Sequence, residues 1–184
     1  MLVWLGPELV LVTVLTGYPD RLSAPLADIA GDPFSLAERM VVLRRRGMVW
    51  TTPGSVELHR VPAALLRART YHDNPNDGGW AGTVIGLLRA AVSPDPWNNP
   101  TVWPTWRRLL PHVLAATDPD RTVDPVTDEV SWLLDRAATY LYTRGEPRTA
   151  QPLSERAYTL RRGQLGENHP NTLTTANNLA RDPN

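Results

Sequence analysis

The sequence predicts a mainly α-helical protein with one short β-hairpin near its N-terminus. Three observations predict it. Apolar residues recur at helical spacing in several separate stretches, with Pro and Gly at the joints between them. One pair of short alternating runs, MVWTT and SVELH, flanks a Pro53-Gly54 turn. Residues 133–180 carry one helical pattern and the opening of a second, 42 residues on, so that Ala137 falls on Leu179 and Ala138 on Ala180.

Taken in order, residues 2–15 are apolar and read as a buried helix or two short core segments. They have no basic n-region, contain Gly6-Pro7-Glu8, and run into TGYPD without a small-x-small cleavage site, which argues against a signal peptide. A bilayer span needs about 20 apolar residues, more than this run supplies. Asp32-Pro33 then precedes SLAERMVVLRRRGMV, in which Leu36, Met40 and Leu43 share a helical face and Gly47 is placed to terminate the helix. The hairpin follows, with Val56 and Leu58 alternating against Glu57. A helix over VPAALLRART has Pro62 in its first turn.

YHDNPNDGG, residues 71–79, reads as a loop. WAGTVIGLLRAAV is the next helix, ended by SPDPWNNP. TVWPTWRRLLPHVLAAT begins another, with Pro111 expected to bend or break it. A polar connector, residues 118–128, leads to EVSWLLDRAATYLYTRG, where Val130, Leu134, Ala137, Ala138 and Leu141 lie on one face. Gly145 closes that helix and Pro147 opens its partner, whose Ala150, Leu153, Ala157 and Leu160 continue the seam. Small Ala side chains at such positions let paired helices approach closely. After LGENHPNT a further helix is expected to begin near Thr172 and run barely two turns before RDPN, with Leu179 and Ala180 on its packing face. So short a helix is marginal alone, and the C-terminal residues are expected to be the weakest part of the molecule.

Composition removes several functions. With 42% hydrophobic and 21% charged residues the chain is globular. Its net charge of zero gives no long-range attraction to nucleic acid or anionic lipid. All 19 basic residues are Arg, so neither a Walker A lysine nor a Schiff-base amine is present. Without Cys there is no disulfide, thiol nucleophile or thiolate zinc site.

The repeat, from LLDRAATYL through LGENHPNT to TANNLA, resembles the tetratricopeptide repeat in its kinesin-light-chain-like form. The helix–hairpin–helix order of residues 33–70 resembles the closing half of a winged helix. Together they resemble a segment of a STAND-type signalling protein of the NB-ARC class, in which an NTPase core precedes a winged helix and sensor repeats. WRRLLPHVLAA is similar to the linker of actinobacterial members. The resemblance divides the chain into a winged-helix-like unit (residues 1–70), a helical linker (71–128), and a repeat with the start of a second (129–184). It also implies a nucleotide-sensing histidine after the hairpin. Here that stretch reads Leu58-His59-Arg60, with His59 kept and the flanking Met and Asp replaced. The family's P-loop and magnesium-binding acid are absent, so His59 is at most a relic, and no cofactor or metal is implied.

Single residues carry competing readings. His59 reads as a satisfied, partly buried side chain or as that relic. Arg44, Arg45 and Arg46 read as a solvated helix end that complements the helix dipole, or as a nucleic-acid patch. Trp97, Trp103 and Trp106 read as core and interdomain packing, or as an aromatic cradle. His72-Asp73 and His112 have no third partner at metal-ligand spacing. Ser55 follows Gly54 without a recognisable general base, so an enzyme reading has no residue to rest on. The expectation is a non-catalytic, cytoplasmic protein-interaction and regulatory segment. Its partner is another protein or further repeats of a longer chain, with no membrane role and nucleic acid disfavoured. The alternative is a DNA-binding winged-helix transcriptional regulator. The residues expected to line the repeat seam are Leu134, Ala137, Ala138, Leu141, Gly145, Ala150, Leu153, Ala157, Leu179 and Ala180.

Overall fold

The N-terminal apolar run folds as segments, not as one helix. A 3-10 turn at Leu2–Trp4 is followed by strand β1 (Val10–Leu11) and the short helix α1 (Val12–Thr16). Gly6-Pro7 separates them, and Val3, Trp4, Leu5, Val10, Val14 and Leu15 are all buried. The computed structural model describes residues 1–70, 79–120 and 126–180. Residues 71–78 of the expected loop, 121–125 of the connector and the RDPN tail lie outside the described residues, and so does His72-Asp73.

A second 3-10 turn (Pro19–Arg21), α2 (Leu26–Gly31) and α3 (Pro33–Arg45) come next, then β2 (Val49–Thr52) and β3 (Ser55–Leu58). The start of α3 is capped by Asp32, whose carboxylate accepts from the backbone N–H groups of Phe34 and Ser35 at 3.2 and 3.1 Å. A bond from the Ser35 hydroxyl, and then these two, hold the Asp32 pKa below the usual carboxylate value. At the other end Gly47 sits at φ +64°. Its N–H bonds the Arg44 carbonyl, and the Met48 N–H bonds that of Leu43, a Schellman closure that favours glycine. Pro53 with Gly54 at φ +77° makes the type II turn of the hairpin.

The sheet has a third strand that the sequence pattern did not reveal. β1 pairs antiparallel with β3 (Val10↔Val56, Leu11↔Ser55) and β2 pairs with β3 from Val49↔Leu58 to Thr52↔Ser55. The order is therefore β1-β3-β2, with all the intervening helices between β1 and β2 in sequence. Two residues are too few for a period-2 alternation to register, which is why β1 is silent in the sequence.

Helices α4 (Arg60–Thr70), α5 (Gly79–Ala91), α6 (Trp103–Ala116), α7 (Thr127–Thr143), α8 (Pro147–Leu165) and α9 (Pro170–Ala180) complete the described chain. Mainly α with a small three-stranded sheet near the N-terminus is thus the fold class. Pro111 lies inside α6 without ending it, so of the bend or break expected there the break does not occur. The proline removes one backbone bond, but Trp106, Leu109, Val113 and Ala116 are all buried and their packing carries the helix through. α9 starts two residues earlier than expected and spans 11 residues, about three turns. Buried side chains run continuously from Val3 through α5 and α6 into Ala150 and Ala157 of α8.

His112 joins the N-terminal segment to α6. It is fully buried, and its Nε2 lies 3.3 Å from the Leu9 carbonyl. A carbonyl can only accept, so in the neutral ring Nε2 carries the proton and Nδ1 is left as a buried acceptor without a hydrogen bond. Gly6 has no room for a side chain here, because a Cβ would stand 2.9 Å from the Pro111 carbonyl oxygen and 3.2 Å from Nδ1. Burial lowers the His112 pKa, against the opposing influence of the Leu9 carbonyl, the Glu8 carboxylate and the Gly6 backbone. Between the depressed folded value and the ordinary 6.5 the unfolded chain binds more protons than the folded one. Stability should therefore hold above pH 6.5 and fall as pH drops below it. Thermal melts at pH 7.5 and 5.5 should show that loss, and His112→Gln should flatten it; an equally steep acid loss in the variant would place the responsible group elsewhere.

Candidate interaction surface

α7 and α8 form the most extensive helix pair of the molecule, and α9 returns along α8. Glycine makes the tight return possible. Gly145 is exposed in the turn at φ +76°, its N–H on the Tyr142 carbonyl and the Glu146 N–H on that of Leu141, a second Schellman closure. Pro147 occupies the first turn of α8, where its missing N–H removes nothing. Leu134, Ala137, Ala138, Leu141, Ala150 and Ala157 are buried together at 2% exposure or less, and Leu153 is half-buried beside them. Leu179 is half-buried on α9, and Ala180, at its end, is exposed.

The 42-residue register explains that difference. Thr172 and Thr175 repeat Val130 and Leu133, and all four are fully buried. Leu173, Ala176 and Ala180 repeat Ser131, Leu134 and Ala138, which are buried in the α7–α8 pair. On α9 the same three places are open: Leu173 is 49% exposed, Ala176 half-buried and Ala180 exposed. One face of α9 is packed as α7 is packed, while the other is left largely open among the described residues.

A buried polar cluster, missed in the sequence, ties the three helices. Asp135 and Arg161 are 2% and 5% exposed, with Arg161 Nη1 4.0 Å from Asp135 Oδ2. Arg161 donates from Nε to Ser131 Oγ at 3.2 Å and from Nη1 to Thr175 Oγ1 and the Asn171 carbonyl. Asn178 Nδ2 donates to Asp135 Oδ1 at 3.1 Å, and Arg136 donates to Oδ2 from Nε and Nη2. Burial lowers the Arg161 pKa, with Asp135 the largest opposing influence. The available signal was Asp135 itself, an acid set in the apolar run LLDRAA.

Arginine pins the preceding segment to the repeat in the same way. Arg136 Nη1 donates to the Pro94 carbonyl at 3.2 Å, and Arg156 Nη1 donates to that of Thr117. The Arg89 guanidinium lies 5.0 Å from the Trp132 ring centroid and that of Arg144 5.6 Å from Trp103. A planar fork that both stacks and donates in pairs suits such joints better than lysine.

The other sequence candidates lie apart from this cluster. His59 is exposed between β3 and α4, its N–H on the Met48 carbonyl and its carbonyl accepting from Ala63. The expected partly buried side chain is thus corrected: the hairpin ends one residue earlier, at Leu58, and releases His59 to solvent. Arg44, Arg45 and Arg46 are exposed at the end of α3. The three tryptophans form no common cradle: Trp106 is core, Trp103 half-buried and Trp97 55% exposed. Ser55 is a sheet residue paired with Leu11 and Thr52. Among the described residues no three His, Asp or Glu side chains are placed to hold a metal, and no helix is long and apolar enough to cross a membrane. Comparison with protein-family models, curated proteins and solved structures finds no match for the chain.

Proposed function

We propose that this chain is a non-catalytic interaction and regulatory segment of a STAND-like signalling protein. A winged-helix-like unit and a linker would carry the opening of a tetratricopeptide array. The observation that carries the reading is the half-packed α9, which repeats α7 at 42 residues and leaves open the face that α7 closes against its own partner helix. A stack of helix pairs has this property at every unit, because each buries one face backward and offers the other forward. The sheet order β1-β3-β2, with helices between β1 and β2, supports the winged-helix-like assignment of residues 1–70. The occupant of the open face is then another helical repeat or a partner helix, and no chemistry is expected.

The test is to extend the chain beyond residue 184 with a repeat helix and a polar capping helix. Covering Leu173, now about half exposed, should contribute about 1 kcal/mol, or about 2–4 °C in Tm for a chain of this size. Leu173→Asp in the extended chain should abolish the gain. An extension that leaves Tm unchanged would mean that α9 is not built to be stacked upon.

The second reading, DNA binding, rests on Arg44, Arg45 and Arg46, all exposed at the end of α3. With zero net charge and one short basic run, duplex DNA should bind weakly and without sequence preference at physiological salt. Fluorescence anisotropy across a salt series checks this. Nanomolar, sequence-selective binding that disappears when Arg44, Arg45 and Arg46 become Ala would turn the assignment to DNA.

A further inference from the structure

Among the described residues, the N-terminal unit contains a cleft of about 410 Å³. Leu22 of the segment before α2, Leu26 and Ile29 of α2, Met40 and Leu43 of α3, and Leu66 of α4 are among its walls. Packed interiors rarely leave voids much larger than a water molecule, whereas small-ligand pockets occupy roughly 300–1,000 Å³ and are mostly apolar. Arg39, exposed at the lip, is the one charged side chain in the lining. No ion pair engages it among the described residues.

We infer that this cleft binds a medium-chain aliphatic carboxylate, its hydrocarbon among the leucines and its head on Arg39. The apolar walls select a chain over a sugar or nucleotide. The single cation at the mouth selects an anionic head, and the guanidinium fork matches a carboxylate in two parallel hydrogen bonds. Side chains from several elements converge on the cavity. That suits a small amphiphile better than a partner helix, which needs anchors repeating along a groove. The site is separate from the repeat seam and does not depend on the function proposed for it.

Isothermal titration of the full chain with decanoate, kept below its micellar range, tests the inference against methyl decanoate at pH 7.5. Decanoate should bind saturably at one site and about tenfold more tightly than the ester, the factor expected when a charged hydrogen-bond pair is lost. Arg39→Gln should erase that preference while keeping ester binding. Met40→Trp, verified as folded by circular dichroism, should fill the cleft and abolish both. Absence of saturable binding, equal affinity for acid and ester, or unchanged binding in folded Met40→Trp would each overturn the proposal. So would a rise in molecular mass on adding decanoate, because the amphiphile would then be bridging copies instead of filling a cleft.

Discussion

Asp135→Ala should destabilise the protein by about 3–5 kcal/mol, the loss expected when one member of a buried charged pair is removed and the other stays. Arg161 would keep its bonds to Ser131, Thr175 and the Asn171 carbonyl but lose the carboxylate that balances its charge at 5% exposure. Asn178 would lose its acceptor on α7, so α9 should loosen first. Urea denaturation gives the size of the effect and amide exchange its location, with α9 opening ahead of α7. Asp135→Asn keeps an acceptor for Asn178 without the charge and should fall between the two. A loss below about 1 kcal/mol would be the behaviour of a surface pair, and would mean that water reaches Arg161 easily.

This cluster also marks what a sequence can and cannot convey about the molecule. Helical spacing around Leu134, Ala137, Ala138 and Leu141 is a local signal and places the α7–α8 pair, as Gly145 and Pro147 place its turn. The packing of α9 depends instead on Arg161, which by pattern alone is one of two arginines in LRRG and looks solvated. Its burial follows from Thr175 and Asp135 arriving from two other helices, 14 residues ahead and 26 behind in the chain. A helix expected to be marginal because it is short is held by polar bonds across the stack. β1 is hidden for a related reason: two residues acquire strand geometry only because β3 offers them an edge. Pro111 misleads in the opposite direction, since local propensity predicts a bend or a break, and the burial of Trp106, Leu109, Val113 and Ala116 overrides the break. The cleft in the N-terminal unit has no sequence signature, because apolar residues around a void read the same as apolar residues filling it.

The tryptophans make the same distinction measurable, for three of them are close in sequence and differ in burial. Trp106 is fully buried on α6, stacks on Tyr140 of α7 with ring centroids 5.8 Å apart, and donates from Nε1 to the Ser93 carbonyl at 3.2 Å. It therefore holds the end of α5, α6 and α7 in one joint. Trp106→Ala should cost about 3–5 kcal/mol, the range for emptying a buried aromatic site. Trp106→Phe keeps the ring stack but strands the Ser93 carbonyl, and should cost about 1–3 kcal/mol. Trp97→Ala, at 55% exposure, should stay within about 0.5 kcal/mol of the parent. Denaturation followed by circular dichroism is the suitable readout, since seven tryptophans would blur a fluorescence signal. Equal losses at Trp97 and Trp106 would contradict the assignment of one to the core and the other to solvent.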